Sequence, residues 1–192
     1  PKAEQTYKAM IDAKSNDLWQ ARAQRGLAEL YLAWQYWNRR QEVEDLFVKA
    51  SEGFEAQVKK ASPDALRREL AELYVSRIDG GMRLWGYMPN WREVQADWTK
   101  REAAGEKMPD QEKQRLAWYG LCEGFVAKVD ALDAGKDISA RARWGVGQQG
   151  SDKFLDEIVE KFADTEWWDD AGFALATRRE GQGKFLDALA FF

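Results

Sequence analysis

Apolar residues recur at three- and four-residue spacing along almost all of the chain, and alternation with a period of two is missing. Such spacing places apolar side chains on one face of a helix, whereas a half-buried strand needs alternation. Ala, Leu, Glu, Lys, Arg and Gln dominate, and only four prolines interrupt the 192 residues, so helix is favoured throughout. The expected fold class is all-α, with about nine helices stacked as antiparallel hairpins. The spacing predicts helices over 3–15, 17–38, 40–60, 63–79, 90–104, 109–133, 151–163, 166–181 and from 184 onward. Ser62 can cap a helix with Pro63 in its first turn, and Asn90 with Glu93 reads as a variant capping box. Gly80-Gly81 and Gly105 suit helix exits. Residues 139–150, carrying Gly145, Gly147 and Gly150, read as a loop with a short helical stretch. Their superficial dinucleotide-fingerprint spacing lacks the strand and βαβ unit such a site needs.

Composition then narrows the function. The 33 acidic and 29 basic residues leave a formal charge of −4, with basic residues in pairs at most, such as Arg39-Arg40 and Arg178-Arg179. A nucleic-acid partner needs a basic footprint that this chain lacks. No apolar run approaches membrane-spanning length. The single cysteine, Cys122, excludes an intrachain disulfide and sits among apolar neighbours, as a buried structural thiol would. There is no histidine, which closes Ser-His-Asp and Cys-His nucleophile activation, His-ligated zinc and an imidazole base. A non-catalytic protein without cofactor or metal is expected. Carboxylate pairs such as Asp169-Asp170 are explained by their place in a helix first turn, where negative charge suits the macrodipole.

Internal repetition is the next signal. Leu27-Ala28-Glu29-Leu30-Tyr31 and Leu70-Ala71-Glu72-Leu73-Tyr74 are identical and lie 43 residues apart. In each, a large apolar residue fills the gap between helices, the Ala admits a neighbouring helix, and the Tyr completes the wedge one turn later. Looser echoes begin at Leu116-Ala117 and Leu175-Ala176.

The C-terminal part resembles a tetratricopeptide repeat, a family of stacked antiparallel helix pairs. Leu175-Ala176 resembles the large–small pair of its first helix, Gly183 and Phe185 the turn glycine and following aromatic, and Ala188 and Phe192 the packing positions of its second helix. Gly172 and Arg179 depart from the family's bulky positions. Phe154 to Thr165 resembles a second helix and its exit, similar to repeats of bacterial envelope proteins and, more weakly, to segments of bacterial α2-macroglobulin-like proteins. The resemblance implies TPR-like hairpins over 1–80 and 151–192, and a divergent helical insertion over 81–150, within one continuous array. It also implies a non-catalytic protein-binding scaffold in an envelope or periplasmic setting, whose partner is another protein or another part of the same chain. Because the sequence stops in mid-helix at Phe192, a continuation beyond it is expected.

By the family's rule that the first helix of each pair lines the groove, Arg22, Arg25, Glu29, Arg68, Glu72, Phe173 and Thr177 are the partner-binding candidates. A mixed-charge groove could clamp a peptide carboxylate or backbone. The plainer reading, preferred here, is an i,i+4 ion pair on each exposed face, worth a few tenths of a kcal/mol. Ten tryptophans need room. Trp34 with Trp37, and Trp91 with Trp98, share helix faces and read as core, and Trp167-Trp168 must split between core and surface. The alternative function is a binding protein holding a sugar or small apolar ligand around Trp85, Tyr87, Trp91 and Trp98. That alternative predicts a closed cavity lined by those tryptophans, and a scaffold predicts a shallow open groove.

Overall fold

The apolar periodicity is realised as helix throughout the computed structural model, which describes residues 2–13, 17–34, 37–88 and 90–189, Trp37 without its side chain. Among these residues the protein is all-α and has no strand. The helices are α1 (Lys2–Asp12), α2 (Asp17–Ala33), α3 (Arg40–Lys60), α4 (Asp64–Trp85) and α5 (Trp91–Ala103). They continue with α6 (Asp110–Ala131), α7 (Lys136–Gln148), α8 (Asp152–Lys161), α9 (Trp167–Gly181) and α10 (Phe185–Leu189), and a 3-10 turn lies at Trp37–Arg39. The expected pairing of Trp34 with Trp37, and the role given to Phe192, fall outside the described residues and side chains.

Several boundaries differ from expectation; α2, expected to reach 38, ends at Ala33. Gly80-Gly81 does not end a helix: α4 runs through both to Trp85, and Gly86, with φ of 73°, makes the stop. A Cβ on Gly80 would lie 2.8 Å from Leu32 Cδ1, so this glycine serves the close approach of α2. Residues 139–150 are not a loop but most of α7, with Gly145 and Gly147 buried inside it. A Cβ on Gly147 would meet Leu155 Cδ2 at 2.4 Å, so packing against α8 offsets glycine's poor helix propensity. Asn90 precedes α5 but makes no side-chain cap bond; its carbonyl instead accepts from the Glu93 and Val94 amides at 3.0 and 3.1 Å. Gly105, with φ of 92°, follows α5 as a helix exit should.

The chain divides into two compact units, Pro1–Leu84 with Lys128–Ala134, and Trp85–Ala127 with Gly135–Phe192. Residues 81–150 are thus shared between them. In the first unit both copies of the repeated pentapeptide are core: Leu27, Ala28 and Tyr31 of α2 and Leu70, Ala71 and Tyr74 of α4 are all buried. Each buried tyrosine keeps its hydroxyl satisfied in the same manner. Tyr31 donates to Glu4 of α1 at 2.8 Å, and Tyr74 donates to Glu55 of α3. A cation completes each set: Arg39 bonds Glu4 at 3.2 Å and sits 4.6 Å over the Tyr31 ring. Lys128 bonds Glu55 at 2.9 Å and sits 5.1 Å over the Tyr74 ring. Burial pushes both phenols up, with the neighbouring carboxylate adding to it. The sequence repeat is therefore also a repeat of a tyrosine–glutamate–cation triad.

The first triad carries a pH dependence. Bonds from Lys8 first, then Tyr31 and Arg39, hold the Glu4 carboxyl down from its ordinary 4.5 to about 2. A depressed carboxylate contributes stability above its unfolded value and loses it as pH falls through the folded one. Attachment of α1 to α2 is expected to weaken between pH 4.5 and about 2. An NMR titration of the Glu4 carboxyl checks this; a midpoint near 4.5 would contradict it.

The second unit is built on Leu155, Ile158, Ala171 and Leu175, with Trp144, Val159, Phe162, Trp167 and Ala174 packed against them. The tandem tryptophans split as the helical period requires. Trp167 joins this cluster and lies 6.2 Å from Trp144, while Trp168 is exposed and donates Nε1–H to the Val159 carbonyl at 3.0 Å. Cys122 is buried. No helix among the described residues is long and apolar enough to cross a membrane.

Candidate functional site

The segment Gly86–Met88 leaves α4 because Gly86 turns the chain, and two side chains one turn apart on α6 hold it. Tyr119 of α6 donates its hydroxyl to the Gly86 carbonyl, and Arg115 donates to the Tyr87 carbonyl at 3.3 Å. Met88 is buried. Between these anchors the Tyr87 side chain points outward and is 55 % exposed. On α9, Phe173 is 66 % exposed, and Thr177 one turn later donates its hydroxyl to the Phe173 carbonyl at 2.9 Å.

Tyr87, Gln148, Phe173, Ala174, Thr177 and Arg178 together line an open concavity of about 360 Å³. Arg178 is its buttress rather than its charge. The guanidinium bonds Asp152 at 2.7 Å and the Gly147 and Gln148 carbonyls at 2.7 and 3.3 Å. It thereby ties α9 to the C-terminal end of α7, where a cation complements exposed carbonyls. The concavity presents two aromatic faces, one amide and one hydroxyl. It offers an exposed, largely apolar binding surface.

The charged groove candidates lie in the first unit and pair with one another. Arg25 bonds Glu29 at 2.8 Å and Arg68 bonds Glu72 at 3.3 Å, each four residues apart on one helix. Arg22 grips Glu69 of α4 with two bonds of 2.7 and 2.6 Å, and Ser76 donates to Glu29 at 3.0 Å. The two i,i+4 pairs are those of the plainer sequence reading; the Arg22–Glu69 and Ser76–Glu29 bonds, which join α2 to α4, were not expected from the sequence. Glu69 and Ser76 complete the network without having stood out in the sequence.

Of the aromatic candidates, only Tyr87 lines this concavity. Trp85 and Trp91 are buried, Trp91 stacking on Tyr119 at 5.8 Å. Trp98 is half-buried under Arg101, 3.8 Å above its ring. The structure thus joins Phe173 and Thr177 from the groove set with Tyr87 from the aromatic set. It adds Gln148, concealed in the glycine-rich stretch that reads as a loop, and Ala174 and Arg178, which carry no distinguishing sequence signal. Comparison with protein-family models, curated proteins and solved structures found nothing that matches this chain.

Proposed function

We propose that this protein is a non-catalytic interaction scaffold, a TPR-like array of helical hairpins that holds an apolar segment of a protein partner on its second unit. The observation carrying this reading is the pair of exposed aromatics, Tyr87 and Phe173, mounted on an anchored frame around an open concavity. Large exposed aromatics on a rigid frame cost little entropy to use and dominate binding energy where they occur. The repeated tyrosine–glutamate–cation triad supports the hairpin-repeat reading. An envelope setting rests on the sequence resemblance alone. The alternative, a small ligand enclosed by Trp85, Trp91 and Trp98, is weakened because two of those rings are spent in the core.

Panning a displayed peptide library tests the reading. Wild type is expected to enrich peptides with a shared apolar or aromatic anchor. Tyr87→Ala with Phe173→Ala should weaken those peptides by a factor of ten or more, yet change stability by less than about 0.5 kcal/mol, since both side chains are exposed. Peptides enriched equally by the double variant would sink the proposal.

A further inference from the structure

The second triad borders an open, mainly apolar concavity of the first unit. Val58, Leu70, Ala131, Leu132 and the Tyr74 ring give about 270 Å³ of mainly apolar space, with Glu55, Lys59 and Lys128 at its rim. Glu55 is already committed to the Tyr74 hydroxyl and the Lys128 ammonium. Burial acts to raise its carboxyl, but those two bonds prevail and hold it below the usual range, so it is ionised at neutral pH. Lys59 adds a through-space attraction to Glu55, without a closer ion pair among the described residues. The rim therefore carries one net positive charge beside an apolar wall.

We infer that this cavity is a binding site for an amphipathic carboxylate, a free medium-chain fatty acid. Its alkyl chain lies along Val58, Leu70 and Leu132, where each buried methylene is favourable. Its carboxylate meets the Lys59 and Lys128 ammonium groups, a charge-assisted contact. A neutral alcohol of the same length loses that contact, and an alkylammonium is repelled. Size favours a short ligand, because the cavity sits at the lower edge of the roughly 300–1,000 Å³ of small-molecule sites.

Calorimetric titration of the chain with octanoate, octanol and octylamine decides the matter. Octanoate is expected to bind one to one, about tenfold more tightly than octanol, with octylamine silent. Lys59→Glu should lower octanoate affinity about tenfold and leave octanol unaltered. Ala131→Trp, a substitution at an exposed position on the cavity wall, should abolish binding of both with the helical circular dichroism unaltered. Tyr87→Ala should bind octanoate as wild type does, which separates this site from the concavity of the second unit. Equal affinity for the three ligands overturns the inference, as does octanoate binding that survives Ala131→Trp, or no saturable binding at all.

Discussion

Leu155→Ala is expected to lower the unfolding free energy by about 3 kcal/mol. Leu155 is fully buried in the cluster with Ile158, Ala171 and Leu175, so truncation removes transfer energy and leaves a void that rigid helices close only in part. The same side chain controls Gly147. A Cβ there would sit 2.4 Å from Leu155 Cδ2 and 2.8 Å from Cγ, so Gly147→Ala alone should cost about 2 kcal/mol by overpacking. The double variant should cost clearly less than the sum, because Leu155→Ala deletes the two atoms that the new methyl meets. Urea denaturation followed by helical circular dichroism measures all three. Strict additivity would show that α7 and α8 do not touch through this pair.

Arg143→Ala is the second large effect, also about 3 kcal/mol. The Arg143 side chain is only 10 % exposed, and its Nε donates to Glu157 at 2.7 Å. It also donates to the Ser139 carbonyl at 3.2 Å and lies 4.9 Å over the Phe162 ring. Removing it leaves the Glu157 carboxylate, itself 18 % exposed, with only the longer contact to Lys153 at 4.0 Å. The loss thus reflects a poorly compensated carboxylate more than the pair's net worth. Arg143→Leu combined with Glu157→Leu should therefore be far less damaging than Arg143→Ala. A double variant as unstable as the single one would assign the effect to lost packing instead.

Much of the fold is legible because helical periodicity is a local property. Helix α3 occupies the expected 40–60 span at both ends, and α8 and α9 begin within a residue of expectation. Glycine accounts for the two largest differences, over 80–85 and 139–150. Gly80, Gly145 and Gly147 carry the local signature of a break, but each lies inside a helix. Propensity costs about 1 kcal/mol per glycine, and a neighbouring helix that approaches within methyl contact repays more than that. The site is less legible. Phe173, Thr177 and Tyr87 stand out as residues, but Tyr87 lies 86 positions before Phe173, and spacing along one helix says nothing of what a loop brings beside it. Gln148 was concealed by the same misread glycines.

From its residues alone, this protein is determined to be helical, free of imidazole chemistry, and marked by a duplicated pentapeptide. Each of these follows from periodicity, composition or identity, which need no knowledge of distant neighbours. Only the tertiary structure decided that both repeat tyrosines seat on a glutamate and a cation. It also decided that the prominent arginines and glutamates neutralise one another while Tyr87 and Phe173 are left facing outward together. Whether a charge or a ring is spent internally or remains available depends on which helices meet, and that is settled by packing rather than by local spacing.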